Sequence, residues 1–343
     1  MSAVTYHRLV KAAIILTLAV IILGAWVRLT GAGLGCPDWP GCYGELTWPT
    51  GEESVAAANA RWAERPVETG KAVREMVHRY FAGALGLLIL ALAVGAWLRR
   101  KQPGQPVILP FVLLAVVTFQ ALLGAFTVTL LLKPAIVSSH LIGGFTTFSL
   151  LVWLYWRTRP DPVEVNLPQR KLKIPVMIAM GFLIGQIILG GWVSTNYAAL
   201  ACPDFPTCMG QWWPEQNYSE GFEVWREIGV DYQGGLLDQP SRMAIHIAHR
   251  IGAIFVIGVF AWLLWKMFKT PGMGRWTAAV GGLLTIQVAL GLSNVLAGLP
   301  LYVAVAHNAV AALLLVTLLS VLFITSRRPK ATQPTISKPL RAV

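Results

Sequence analysis

The sequence predicts an all-α integral membrane protein, with eight transmembrane helices arranged as two parallel-repeat four-helix bundles. Three observations carry this. The 343-residue chain is 55% hydrophobic and only 13% charged, where a soluble domain carries about a quarter charged residues, and its mean hydropathy is +0.60. Apolar stretches of roughly 20 residues, long enough to cross about 30 Å of hydrocarbon as a helix, recur eight times. A string of short motifs also occurs twice, in the same order.

The first span, 9–30, follows the basic residues Arg8 and Lys11 and so resembles a secretory signal. Its apolar run is too long for that, and it has a relative within the chain, the fifth span at 174–197. The second span, 76–98, follows a long polar loop, and the third, 107–131, is joined to the fourth, 135–156, by the tight turn Lys133-Pro134. After the fifth span comes a second long loop, then spans at 243–266, 276–298 and 301–325, the last two joined at Leu299-Pro300. The expected organisation is a first bundle at 1–156, a linker at 157–173, a second bundle at 174–326 and a tail at 327–343.

A net charge of +12 invites a nucleic-acid reading, but the placement of charge argues for topology and against nucleic acid. The loops at 31–75 and 198–242 hold 14 of the 16 acidic residues. Termini and loops on the opposite side hold 18 of the 28 basic ones, including Arg99, Lys101, Arg157, Arg170, Lys266, Arg328 and Lys338. Lys and Arg in short loops mark the cytoplasmic face. Both termini are therefore expected inside a bacterial cell membrane, with the two long loops outside and phospholipid head groups meeting the basic side.

The repeat is read residue by residue. Gly24-Ala25-Trp26-Val27 and Cys36-Pro37-Asp38-Trp39-Pro40-Gly41-Cys42 answer to Gly190-Gly191-Trp192-Val193 and Cys202-Pro203-Asp204-Phe205-Pro206-Thr207-Cys208. His78-Arg79 answers to His249-Arg250, Gln120-Ala121-Leu122-Leu123-Gly124 to Gln287-Val288-Ala289-Leu290-Gly291, and His140 to His307. Each half has four spans, an even number, so both cross the membrane in the same sense, unlike inverted-repeat transporters.

Four histidines therefore fall on equivalent spans. From the rise of 1.5 Å per residue, His140, His249 and His307 lie roughly 8–9 Å below the outer end of their spans, and His78 is shallower unless its helix begins before Met76, within the polar loop. Two imidazoles at similar depth on facing helices suit the two axial positions of a porphyrin iron; the plainer reading is interhelical hydrogen bonding. Ionisable residues inside a membrane are costly and mark function, and a twice-paired set favours heme. Arg79 and Arg250, beside two of the proposed ligands, fit either heme propionates or lipid head groups. His7 is given no role.

The four cysteines form two Cys-x5-Cys pairs, matching neither a common metal spacing nor covalent heme attachment. On an oxidising face, disulfides Cys36–Cys42 and Cys202–Cys208 are the economical reading, as structural clamps or as redox-active groups. One asymmetry stands out. Glu75 precedes His78 by three residues and shares its helix face, while its counterpart is His246. Glu75 reads either as an acid–base group beside the first-half heme or as a first-turn acid favoured by the helix dipole.

The segment from Gly24 to Pro40, the Glu75-x-x-His78-Arg79 motif, the second His-Arg pair and His140/His307 together resemble the heme A synthase family. The resemblance runs from the first span to the eighth. It implies an oxidoreductase that converts the C8 methyl of heme O to a formyl group, giving heme A, through two hydroxylations and loss of water from a gem-diol. It assigns His78 and His140 to the substrate heme, with Glu75 as the acid–base group, and His249 and His307 to a retained heme b and its iron. It also implies partners: heme O synthase and cytochrome oxidase assembly factors, and self-association as a homo-oligomer. Some members lack one cysteine pair, whereas this chain has both. Two other readings of the histidines are a diheme b-type electron carrier and a heme transporter or chaperone. No Gly-rich nucleotide loop is present, so an NADPH site is not expected.

Overall fold

The computed structural model describes residues 1–160 and 167–327. The described residues contain helices and no strands. In chain order the helices are α1 (Ala3–Leu29), α2 (Glu52–Arg61), α3 (Thr69–Leu98), α4 (Ile108–Thr129), α5 (Pro134–Thr158), α6 (Leu167–Arg170), α7 (Lys173–Thr195), α8 (Tyr218–Gly221), α9 (Gln239–Phe268), α10 (Gly274–Leu296) and α11 (Leu301–Thr325). Eight of them are long and apolar enough to span a membrane. Much of their apolar surface faces outward, as with Leu87, Ile108, Ile174 and Tyr302, which suits lipid and would be unfavourable in water.

The apolar pattern located the spans and missed their starts. α1 begins at Ala3 and α3 at Thr69, six and seven residues before the apolar stretches. The cause is local: Ser2 caps α1 by accepting from the Thr5 amide, and the polar first turns of α3 stand above the hydrocarbon, where helix formation needs no apolar side chains. The loop at 31–75 also carries the ten-residue α2, whose Glu52 and Glu53 in the first turn and Arg61 in the last complement the helix dipole. In the expected linker, α5 runs on to Thr158 and α6 occupies Leu167–Arg170. Linker residues 161–166 and tail residues 328–343, with the basic Arg328, Lys330, Lys338 and Arg341, lie outside the described residues.

Helix neighbours close into two cycles. α1 packs on α3, α3 on α4, α4 on α5 and α5 back on α1; likewise α7 packs on α9, α9 on α10, α10 on α11 and α11 on α7. The cycles meet where α1 and α5 pack on α11 and α5 packs on α7. A large apolar core fills this seam, including Phe148, Trp156, Phe260, Leu263, Leu314 and Leu318. A second core, with Tyr6, Val10, Ile89, Leu92, Leu113 and Leu151, lies within the first cycle. Trp156 donates its indole N–H to the Ser320 hydroxyl across the seam at 2.9 Å.

Candidate functional site: two histidine pairs across two helix cycles

His78 stands on α3 and His140 on α5, opposite corners of the first cycle; His249 on α9 and His307 on α11 hold the same places in the second. α3 does begin before Met76, within the polar loop, so His78 is not shallow in its helix. It lies nine residues into its helix and His249 ten into α9, while His140 and His307 each lie six residues in. All four side chains keep some accessible surface despite sitting deep in the helices.

Each ring backs onto a glycine. A Cβ at Gly24 would stand 3.1 Å from the Cε1 of His78, one at Gly190 3.2 Å from that of His249, one at Gly124 3.6 Å from that of His140, and one at Gly291 3.1 Å from that of His307. At Gly24, Gly190 and Gly291 an added side chain would crowd the ring by a few tenths of an ångström, whereas at Gly124 it would meet the ring at ordinary contact distance. The Nδ1 atoms of His78, His140 and His307 are buried with no hydrogen-bond partner, a costly arrangement for ordinary core histidines. Glutamines approach the second pair: Gln186 Nε2 lies 3.0 Å from His249 Nδ1 and donates to the His249 carbonyl at 2.9 Å, and Gln287 Nε2 lies 3.2 Å from His307 Nε2. No group of three or more His, Cys, Asp or Glu that could hold a bare metal ion occurs among the described residues. Two imidazoles are the donor set that an iron already held by a porphyrin would take.

Above each pair sits a cysteine loop. Cys36–Cys42 and Cys202–Cys208 are both disulfide-bonded, and the loops are built alike. Asp38 accepts from the amides of Tyr43 and Gly44, Asp204 from those of Met209 and Gly210. Arg79 donates to the carbonyls of Asp38, Pro40 and Gly41, and Arg250 to those of Cys202, Asp204 and Thr207. The arginines beside the histidines therefore hold the loops down over the helices, a third role beside the two that sequence offered. Arg250 keeps one buried nitrogen, Nε, without a protein partner. At Asp204 the Thr207 hydroxyl, followed by the Gly210 amide, holds the carboxyl down to about 2 from its usual 3.8.

Glu75 is buried, and it distinguishes the two halves. One oxygen accepts from the Cys36 amide at 3.0 Å and the other pairs with Arg79. It is no first-turn surface acid. Its counterpart His246 is also buried and bonds through Nδ1 to the Ala198 carbonyl at 2.9 Å. The carboxylate thus ties α3 to the first disulfide loop, three residues before His78 in the chain.

A family model described as cytochrome oxidase assembly protein (COX15-CtaA) matches residues 7–319. A heme A synthase of Shewanella oneidensis is 43% identical over 315 residues, which cover 91% of this chain and 94% of that protein. This chain belongs to the heme A synthase family. Members from Halalkalibacterium halodurans and Rhizorhabdus wittichii are 28% and 25% identical, over 90% and 89% of this chain and 93% and 89% of theirs.

Within this heme A synthase family fold, several site residues were not singled out by sequence reasoning. Gly24, Gly190, Gly124 and Gly291 appeared only as matching letters in the repeat, although their pairing with histidines at fixed offsets was available as a signal. Gln186 had none, since position 20 of the first half is Val. The segment from Trp225 to Gln233 had none either, yet it crosses from the second half onto the first. The Tyr232 amide donates to the Leu131 carbonyl, Asp231 pairs with Arg65, and the buried Lys133 ammonium lies 4.0 Å from the centre of the Trp225 ring.

Proposed function

We propose that this multi-pass membrane protein is a heme A synthase that oxidises the C8 methyl of heme O to a formyl group. The observation that carries the site assignment is the diagonal placement of imidazoles across each helix cycle, each backed by a glycine, with the Nδ1 atoms of His78, His140 and His307 unpartnered. In this reading His78 and His140 take the iron of the substrate heme. His249 and His307 hold a resident heme b, which when bound supplies a reversible one-electron carrier. Balanced with water, R–CH3 + H2O gives R–CHO, four protons and four electrons, the electrons passing to an external one-electron acceptor, so a proton acceptor is needed near the reacting edge. Glu75 fills that role: its carboxylate is fixed by the Cys36 amide and Arg79, one helical turn from His78. Arg250 retains a donor, Nε, that suits a propionate carboxylate.

The asymmetry between Glu75 and His246 supports separate tasks for the two halves, chemistry in 1–156 and electron relay in 174–326. Heme O carries a long apolar tail and stays in lipid, which a membrane bundle open toward its side accommodates. The basic residues at the end bearing both termini support a cytoplasmic location for that end, with the cysteine loops outside. Association with heme O synthase, with cytochrome oxidase assembly factors, and between copies of this chain extends the same proposal.

The test is extraction and chromatography of hemes from the protein purified with heme O available. Heme A or its hydroxylated precursor is expected from the native chain. Glu75→Ala is expected to give neither while keeping the heme held by His249 and His307. An unchanged heme composition in the native protein would place the chain among electron carriers or heme transporters instead.

A further inference from the structure

At the end that carries Ala3 and Arg327, a cavity of about 680 Å³ opens where α1, α5 and α11 meet, the seam between the two helix cycles. Four guanidinium groups line it, Arg99, Arg157, Arg159 and Arg327, and among the described residues no acidic one does; Asp161 and Glu164 lie outside the described residues. None of the three ion pairs among the described residues involves any of the four. Such a concentration of like charge is unfavourable unless an anion answers it.

The cationic groups are held in place. Arg159 lies over the Trp156 ring at 5.2 Å and Arg327 over the Phe323 ring at 4.6 Å, and those two rings stack on each other at 5.6 Å. The opposite wall is Arg99, itself buried, which donates to the Gln105 side chain and to the Met1 carbonyl. Arg157 has no hydrogen bond or ring contact among the described residues. Guanidinium forks on fixed supports match phosphate oxygens in a bidentate way, and the volume suits a head group. Basic recesses between transmembrane helices are where anionic phospholipids bind.

We infer that this recess is a binding site for the phosphate of an anionic phospholipid, which bridges the two helix cycles at their seam. The site is separate from the histidine pairs and does not depend on what they bind. It differs from the general attraction of a basic face to acidic lipid in that it needs Arg159 and Arg327 and not the basic residues elsewhere on that face.

The full-length protein is delipidated in detergent and then given phosphatidylcholine, phosphatidylglycerol or inorganic phosphate alone. Retained lipid is counted by native mass spectrometry and the midpoint of thermal unfolding is followed. Phosphatidylglycerol is expected to be retained and to raise the midpoint, whereas phosphatidylcholine and inorganic phosphate do neither. The Arg159→Gln/Arg327→Gln variant is expected to retain about tenfold less phosphatidylglycerol, and Lys266→Gln/Lys269→Gln to retain as much as the native chain. Equal loss in both variants, or stabilisation by inorganic phosphate alone, overturns the site. If the arginine variant does not fold, the three additions to the native chain decide the matter, because equal retention of the two lipids also overturns it.

Discussion

A histidine ring 3.1–3.2 Å from where a Cβ would stand must shift by a few tenths of an ångström to admit a side chain there. Gly24 and Gly190 are each in this position, against His78 and His249, so each is a handle on one histidine pair alone. Gly24→Leu is expected to displace the His78 ring, with an overpacking cost of about 1–3 kcal/mol. Heme A formation should fall while the heme held by the second pair persists. Gly190→Leu should do the reverse, with loss of the heme absorbance that belongs to His249 and His307. Absorption spectra of the two purified variants check this, and a symmetric loss in both would refute the division of labour. At Glu75 the decisive fact is likewise a single contact. A carboxylate bonded to the amide of a disulfide cysteine ties the proposed acid–base group to the outer loop, and its spacing from His78 on the helix face did not disclose that tie.

The cysteine loops are elements with their own stability. Each is closed by a disulfide, an aspartate that gathers two loop amides, and an arginine that reaches up from the helix below. Asp204 gives this a pH signature. Its carboxyl is lowered from 3.8 to about 2, first by the Thr207 hydroxyl. A lowered carboxyl stabilises the folded loop above its unfolded value and loses that contribution as pH falls through the folded one. The Cys202–Cys208 loop is thus expected to keep its amide protection down to about pH 4 and to loosen between about pH 4 and 2. Hydrogen exchange of Met209 and Gly210 measures this. Asp204→Asn should show faster exchange of both amides at neutral pH, and unchanged rates would remove the aspartate from the account.

The whole molecule is held by its seam. Trp156, buried in the large core and bonded to Ser320, lies where α5 meets α11. Trp156→Ala is expected to cost about 3–5 kcal/mol, seen as a lower thermal midpoint and weaker association of the halves when they are expressed as separate chains. The Arg65–Asp231 pair also joins the halves, but it is part-exposed. Such pairs contribute only about 0–1 kcal/mol, so Arg65→Ala should barely move the same midpoint. A large effect at Arg65 and a small one at Trp156 would mean that the outer segment holds the halves together and the buried seam does not.

The sequence by itself determined the fold class, the eight candidate spans, the pairing of cysteines and the placing of four histidines on equivalent helices. All of these are carried by local composition, by hydropathy over windows of one span, or by a motif recurring at a fixed offset. Helix starts were misplaced by six or seven residues because the first turns of α1 and α3 are helical without being apolar. Only the tertiary structure decided which helices stand at opposite corners, that Arg79 and Arg250 grip the loops above them, that Glu75 is buried against Cys36, and that the segment from Trp225 to Gln233 closes over the first half. Those contacts join residues tens to more than a hundred positions apart. Their geometry comes from how the helices pack, which no short window of sequence records.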